Sequence, residues 1–257
     1  MNLRNSKSMM LGIAVRRVAL AGFLVVALSV FAVSARAADL VTNGSFESNG
    51  GNGQLGYNTF ATGWSVPGGS YTFIFAPGTA DTTGANGEYG GLSLWGPGNG
   101  SANGLPATSP DGGYYIAQDS AFQQGAISQT VSGLTVGDSY TVGFWWAAAQ
   151  QYGFTGATED QWQVSLGSQT QSTLFASIPS HGFSGWMYQT FTFTADNTTD
   201  VLSFFANGGP PGVPPFALLD GVTLNQTPEP ASFTLMLTAV GLIGAVGVLQ
   251  SKNWFRS

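Results

Sequence analysis

Residues 127–146, ISQTVSGLTVGDSYTVGFWW, contain the clearest pattern for the fold. From Ile127 to Val131 the side chains follow a period of two, with Ile127 and Val131 on one face and Ser128 and Thr130 on the other, as in a strand with one buried face and one solvent-exposed face. We interpret Gly137-Asp138 as the turn that joins this strand to a second one, Ser139–Trp146. Successive side chains of a strand point to opposite faces, so at least one of Trp145 and Trp146 is expected to be buried.

Runs of the same kind continue on both sides of this stretch. They are rich in β-branched and aromatic residues, and Asn-Gly pairs and Gly- and Pro-rich turns separate them. They occupy residues 40–47, 71–75, 161–166, 188–194, 201–206 and 217–224. Many short strands without an internal repeat predict an all-β fold, a β-sandwich of the jelly-roll type. Two long irregular segments, about 78–113 and 150–160, are expected to be functional or mobile.

The two ends of the chain differ from this middle part. Arg4, Lys7, Arg16 and Arg17 precede an apolar run, 18–33, and a small-residue series ending in Ala37. This is the pattern of a secretory signal peptide cleaved after Ala37; a permanent anchor is the alternative. A second apolar run, 231–249, is long enough for a transmembrane helix. We therefore divide the chain into a signal peptide (1–37), a β-domain (38–226) and a C-terminal segment (227–257).

The charge of the β-domain limits its partners. All seven Lys and Arg residues lie in the terminal segments, and Glu229 is the one acid outside residues 38–226. The domain therefore carries twelve carboxylates, a net charge of −12, and no basic side chain to pair with them. Nucleic acid is excluded as a partner because neutralising phosphates requires cationic side chains. Anionic sugars would be repelled unless a metal bridges them. The chain has no cysteine, so disulfides do not stabilise it.

The C-terminal segment resembles the PEP-CTERM sorting signal. The resemblance rests on Thr227-Pro228-Glu229-Pro230, the apolar run that follows, and a short basic end containing Lys252 and Arg256. It implies export, transient anchoring by the C-terminal helix, processing near Pro228-Glu229-Pro230 by an exosortase-like enzyme, and release to the cell surface or extracellular matrix. The basic end is weaker than the family's, and an ordinary C-terminal anchor is the alternative.

The β-domain resembles the galactose-binding-like jelly rolls used as carbohydrate-binding modules. Four stretches carry the resemblance: Asn43–Glu47 with Gly63-Trp64, Pro110–Tyr115, Ile127–Val131 through Leu134, Gly137 and Tyr140, and Leu219–Val222. In related modules, an acid after the opening Phe and an acid on the last strand hold a structural Ca²⁺. The matching residues are Glu47 and Asp220, and carboxylates suit this hard cation. Gly221 stands where the family often has a second acid, and backbone capping of both carboxylates is the alternative.

Sugar recognition requires exposed aromatic faces and a few polar groups. The aromatic candidates in or near the two long irregular segments are Trp95, Tyr114, Tyr115, Tyr152 and Trp162. The acidic candidates are Asp111, Glu159 and Asp160, and the neutral ones are Asn99, Asn103, Gln150 and Gln151. The alternative is that most of the tryptophans are core residues.

The sequence offers little for catalysis. His181 is the only histidine, and no nucleophile-elbow pattern accompanies it. Glu159 and Asp160 are a poor glycosidase pair, because neighbouring side chains on a strand face opposite ways. We therefore predict a non-catalytic surface or matrix protein that binds neutral polysaccharide. The alternatives are a purely structural matrix protein that binds protein partners or itself and, less favoured, a glycosidase.

Overall fold

The computed structural model describes residues 38–227, which form a β-sandwich. Its strands are β1 (Gly53–Gln54), β2 (Thr72–Phe75), β3 (Ala85–Gly87), β4 (Gly90–Leu92), β5 (Tyr115–Asp119), β6 (Ile127–Ser132), β7 (Ser139–Gln150), β8 (Thr158–Leu166), β9 (Gln169–Ser172), β10 (Ala176–Ile178), β11 (Met187–Thr194), β12 (Thr199–Gly209) and β13 (Pro215–Gln226); a 3-10 turn spans Pro97–Asn99. The expected signal helix, C-terminal helix and Pro228-Glu229-Pro230 lie outside the described residues. Among residues 38–227, no helix qualifies as a membrane span.

Two antiparallel sheets form the layers of the sandwich. The six-stranded sheet has the order β1-β2-β5-β13-β7-β11, and the second sheet has the order β10-β8-β12-β6 with β9 also paired to β8. The prediction of an all-β sandwich is confirmed, and the arrangement is consistent with a jelly roll. Trp146 is 4% exposed whereas Trp145 is half-buried, as the alternation along β7 requires.

The turn predicted at Gly137-Asp138 carries the chain from one sheet to the other, because β6 and β7 belong to different sheets. The Tyr140 hydroxyl accepts a 2.9 Å hydrogen bond from the backbone N–H of Thr135, five residues upstream. Gly137 has a φ of +89°, a conformation that favours glycine. The buried Tyr140 ring thus fixes the corner at which the chain changes sheet, as a tyrosine corner does in other sandwiches.

The space between the sheets is filled mainly by aromatic side chains. Trp162 of β8 is fully buried and packs edge-on against Phe204, and Phe204 packs edge-on against Phe144 of the opposite sheet. The Trp162 indole N–H donates a 3.0 Å hydrogen bond to the Leu218 carbonyl of β13. This bond satisfies the one polar atom of the indole and links the two layers.

A second core lies on the outer face of the six-stranded sheet. Strands β2, β5, β7 and β13 carry apolar side chains on both faces in this region, including Phe73, Tyr115 and Phe216. The outer face is covered by the segment that we expected to be functional or mobile, which buries Ala80, Ala85, Leu92, Leu94 and Leu105. Much of the 78–113 segment is therefore a structural layer, because this half of the sheet cannot face water.

Strand β11 ends the six-stranded sheet, and glutamine side chains cover its free edge. Gln169 and Gln171 of β9 each donate a 2.6 Å hydrogen bond, to the Thr194 and Thr192 carbonyls of β11. The Gln169 side chain also accepts a bond from the Thr194 N–H. An edge whose carbonyls are already bonded is a poor template for pairing with another strand.

The covering segment can be tested through Leu94, which is fully buried in the second core. We expect Leu94→Ala to lower the free energy of unfolding by about 2–5 kcal/mol, the usual cost of emptying a buried leucine site. Urea unfolding measures this value. Leu174→Ala is the control, because Leu174 is 89% exposed and its truncation should change the stability by less than about 0.5 kcal/mol. Equal effects of the two substitutions would show that the segment is not packed as described.

Candidate functional site

A bulge in β13 forms an acidic site. The pairing of β13 with β7 shifts register between Asp220 and Thr223, and Gly221 within the bulge has a φ of +57°. The backbone N–H of Val222 donates to the Gly44 carbonyl, which brings the opening segment of the domain to the bulge. A Cβ at Gly221 would lie 3.1 Å from Cγ of Asp111. The bulge thereby places Asp220 between the 109–114 loop and the segment that carries Glu47.

Three carboxylates influence each other at this site. Asp220 is fully buried, and burial raises its pKa to about 8. Hydrogen bonds from the Ser109 hydroxyl and the Gly221 N–H act against this rise, whereas the charges of Asp111 and Glu47 add to it. Glu47 accepts a 2.7 Å hydrogen bond from the Tyr114 N–H and packs directly on Gly113, where any side chain would overlap its carboxylate.

The donor set at the bulge suits a hard cation. The Oδ1 atom of Asp220 is buried without a hydrogen-bond partner, and such an orphaned acceptor needs compensation. Carboxylate, hydroxyl and backbone oxygens are the ligands that Ca²⁺ takes. Within residues 38–227, no three Asp, Glu or His side chains converge tightly enough to bind a metal by themselves. Backbone or water oxygens would therefore have to complete the coordination around Glu47 and Asp220.

Several predicted ligand contacts meet at one end of the sandwich. Trp95 stacks on His181 with ring centroids 3.8 Å apart and meets Tyr152 edge-on at 4.5 Å. Asn103 donates to the carbonyls of both Trp95 and His181, and the Gln150 side chain accepts from the His181 N–H. Tyr152 remains 47% exposed. The amides here hold the aromatic group together. Asn99 bonds the Leu94 carbonyl, and the backbone N–H of Gln151 donates to the Pro214 carbonyl.

Three predicted ligand contacts are wrong, because their side chains lie in the interior. Trp162 and Asp160 are fully buried on the inner face of β8, and Tyr115 is 1% exposed in the second core. The sequence pattern could not show this for Tyr115, because both faces of β5 are covered. Tyr114 is half-buried and Asp111 is exposed, and both lie at the acidic bulge.

Glu159 and Asp160 point to opposite faces of β8, as expected for adjacent strand residues. The Ser120 hydroxyl donates to Asp160, yet burial raises the pKa of Asp160 well above its ordinary value. Glu159 is exposed and lines a cavity of about 300 Å³. The other lining residues are Ala157, Thr158, Ser177, Gly209 and Pro210.

From this cavity a row of outward-facing residues runs along β8 and β12 of the second sheet. The register places Glu159 opposite Gly209, Gln161 opposite Asn207 and Gln163 opposite Phe205. All these side chains alternate with inward core residues such as Trp162 and Phe204, so they point outward. We call Gln161, Gln163, Phe205 and Asn207 the amide face.

The amide face was not among the residues selected from the sequence. Its members lie inside strands, whereas the candidates predicted from the sequence lie in and near the long irregular segments. The available signal was the alternation of Gln with apolar residues in 161–166, which shows that the amides share one face. Which strand lies beside them is decided only by the sheet order.

No protein-family model and no curated protein matches this chain. Several solved structures that are similar to this chain are carbohydrate-binding modules. TmCBM61, solved with β-1,4-galactotriose, has a TM-score of 0.41 and 15% identity over 74% of this chain and 99% of that one. The CBM22-1 xylan-binding domain of Paenibacillus barcinonensis has a TM-score of 0.36 and 10% identity over 76% and 97%. A family 16 carbohydrate-binding module has a TM-score of 0.35 and 14% identity over 72% and 98%.

The buried Asp220 predicts how stability depends on pH. Its pKa is about 8 in the folded state and about 4 in an unfolded chain, so between these values the folded state binds more protons. The free energy of unfolding should therefore fall as the pH rises from about 5 to 8. We expect Asp220→Asn, which cannot ionise, to reduce this fall in thermal unfolding measured with chelator present.

The matched control for the pH series is Asp196→Asn. Asp196 is exposed, and a hydrogen bond from Ser168 lowers its pKa, so it stays ionised throughout this range. Its replacement should leave the slope between pH 5 and 8 unchanged. Asp119, whose pKa burial raises to about 6, and Asp160 contribute to the slope in both variants. An unchanged slope in Asp220→Asn would contradict the assignment.

Proposed function

We propose that this protein is a non-catalytic, exported protein whose β-domain binds neutral polysaccharide at the amide face and its adjoining cavity. The observation that carries the proposal is the 300 Å³ cavity opening beside an outward row of uncharged amides around an aromatic ring. A sugar ring offers an apolar face to an aromatic side chain and hydroxyl groups to amides.

The amides of this face are available for a ligand. Within residues 38–227, the side chains of Gln161, Gln163 and Asn207 make no hydrogen bonds, whereas Gln169 and Gln171 of the same sheet bond to the β11 edge. The lack of basic side chains in the domain favours a neutral ligand over an anionic one. Tyr152 and Phe154, both exposed, offer further aromatic surface in the loop that precedes β8.

Neither His181 nor the Glu159–Asp160 pair is arranged for catalysis. The His181 ring stacks on Trp95, and its buried Nε2 atom has no partner within residues 38–227. Glu159 faces the cavity while Asp160 faces the core, so they cannot flank one bond in the way that two glycosidase carboxylates do.

Binding to a panel of neutral and anionic polysaccharides, including the producer's own exopolysaccharide, tests the function. We expect saturable binding to a neutral member. Phe205→Ala should weaken it about tenfold through loss of aromatic contact, and Asn207→Ala several-fold through loss of hydrogen bonds. Affinity electrophoresis or calorimetry measures both effects.

Tyr57→Ala is the control for these variants, because Tyr57 is 60% exposed in the turn after β1 and belongs to neither the cavity nor the amide face. Unchanged affinity in Phe205→Ala and Asn207→Ala would remove the binding site from this face. Concentration-dependent oligomers with no affinity for any glycan would instead favour the structural matrix protein. Reducing-sugar release would indicate a glycosidase.

We also propose one structural Ca²⁺ at Glu47 and Asp220. Support comes from the unpartnered Asp220 oxygen and from the three neighbouring carboxylates, whose repulsion a cation would relieve. A bound Ca²⁺ would stabilise ionised Asp220, so repeating the pH series with Ca²⁺ in place of chelator should raise the melting temperature most near pH 8. A melting temperature indifferent to Ca²⁺ would contradict this site.

Export and sorting complete the proposal. The support is the sequence of the two terminal segments: an export signal ending at Ala37, and Pro228-Glu229-Pro230 before an apolar run. We expect an exosortase-like enzyme to process the protein near Pro228 after transient anchoring, leaving it at the cell surface or in the matrix. Mass spectrometry of the surface-released protein should show a C-terminus near residue 230, and a retained apolar tail would contradict processing.

A further inference from the structure

We propose a second neutral-glycan surface on the six-stranded sheet, centred on Trp145 and Tyr188, so that one domain can bridge two polysaccharide chains. This inference rests on the proposed function, because it assumes that neutral polysaccharide is the ligand. The second surface shares no residue with the amide face, and it gives the domain a role in cross-linking polysaccharide.

Trp145 and Tyr188 form an aromatic pair on the outward side of this sheet. They are direct cross-strand neighbours of β7 and β11, and their ring centroids lie 5.1 Å apart at an interplanar angle of 58°. Tyr188 is 53% exposed, and Trp145 is half-buried. The next residue of β7, Trp146, fills the core between the sheets instead, so the pair lies on the outer face of the sheet, next to the second core.

Rows of hydroxyl groups continue from the aromatic pair along three adjacent strands. Their positions alternate with inward residues such as Phe191 and Phe193 of β11. We call this set the threonine face: Thr190, Thr192 and Thr194 of β11, Ser139 and Thr141 of β7, and Thr223 and Asn225 of β13. Thr192, Thr141 and Asn225 stand side by side in register.

The dimensions of this surface suit an extended polymer. From Tyr188 to Thr194 the strand advances six residues, about 20 Å at the usual rise of a strand. Gly143 lies between Thr190 and Thr223, and a Cβ there would collide with the Tyr188 hydroxyl group. Glycine at this position therefore lets the Tyr188 ring lie down against the sheet instead of standing off it.

The chemistry of the surface selects a neutral glycan over a protein strand. None of the nine residues of the aromatic pair and the threonine face is charged, and hydroxyl groups can both donate and accept hydrogen bonds to sugar hydroxyls. Asp111, which lies against Gly221 beside Trp145, adds one acceptor at the aromatic end. A partner strand cannot add to the edge of β11 at Thr192 and Thr194 without displacing the bonds from Gln169 and Gln171.

The two surfaces face away from each other. The amide face is the outward side of one sheet and the threonine face is the outward side of the other, and the sheets stack with the aromatic core between them. A single polysaccharide chain lying straight along one surface cannot also reach the other. Two sites on opposite sides of one domain would therefore join two chains.

The decisive measurement is the number of glycan sites per chain. Purified protein is titrated with short oligosaccharides of whichever polysaccharide in a galactomannan, β-glucan and galactan panel it binds, and turbidity is followed with the intact polymer. We expect two sites per chain for the unaltered protein. Tyr188→Ala combined with Thr190→Val should leave one site with unchanged affinity and abolish the turbidity.

Phe205→Ala supplies the reciprocal case: the amide-face site should weaken about tenfold while the Tyr188 site keeps its affinity. Combining all three substitutions should leave only the weakened amide-face site. A single site that Phe205→Ala weakens and Tyr188→Ala with Thr190→Val leaves intact would overturn the second surface while preserving the proposed function. Absence of any glycan binding by the unaltered protein would contradict both. Melting temperatures check that each variant folds, and sedimentation checks that turbidity does not arise from dimers with one site per chain.

Discussion

The structure depends on one electrostatic constraint: twelve carboxylates share residues 38–226 with no lysine or arginine. A carboxylate buried under this condition must take hydrogen bonds, bind a proton or bind a cation, since no ion pair to Lys or Arg is available. Asp160 bonds to Ser120 and Asp220 bonds to Ser109; both have raised pKa values, and each retains one carboxylate oxygen without a partner in residues 38–227. The same constraint disfavours phosphates and uronates as partners, because no basic side chain of residues 38–226 can neutralise them.

Because no ion pair to Lys or Arg can form within residues 38–226, packing and backbone hydrogen bonds stabilise the fold. The half of the six-stranded sheet around β5 is apolar on both faces, so one core lies between the sheets and another lies beneath the 78–113 segment. Polar side-chain atoms in these cores form hydrogen bonds between strands of the two sheets. Trp162 bonds across the sandwich to Leu218, and Gln118 of β5 accepts from the Ala206 N–H of β12. Gln169 and Gln171 close an edge that would otherwise be free to pair.

Strand alternation also separates the outward polar side chains from the core. Period-two alternation sends Trp162 and Phe204 inward and Gln161, Gln163 and Phe205 outward from the same two strands. The β13 bulge interrupts this alternation at Gly221, which turns Asp220 toward Glu47 and Asp111. A regular strand at this point would leave the opening segment without the Val222–Gly44 hydrogen bond that holds it at the bulge.

The sequence by itself determined the all-β class, the opposite orientation of Trp145 and Trp146, and the corner at Gly137, because side-chain alternation and turn residues are local properties. It also indicated that Trp95 and Tyr152 belong to loops, which the fold brings together. Tertiary structure alone decided that Tyr115 and Trp162 are interior, that Gln161 faces Asn207, and that Tyr188 lies beside Trp145. These facts depend on sheet order and on what covers each face, and residues far apart in the chain fix both.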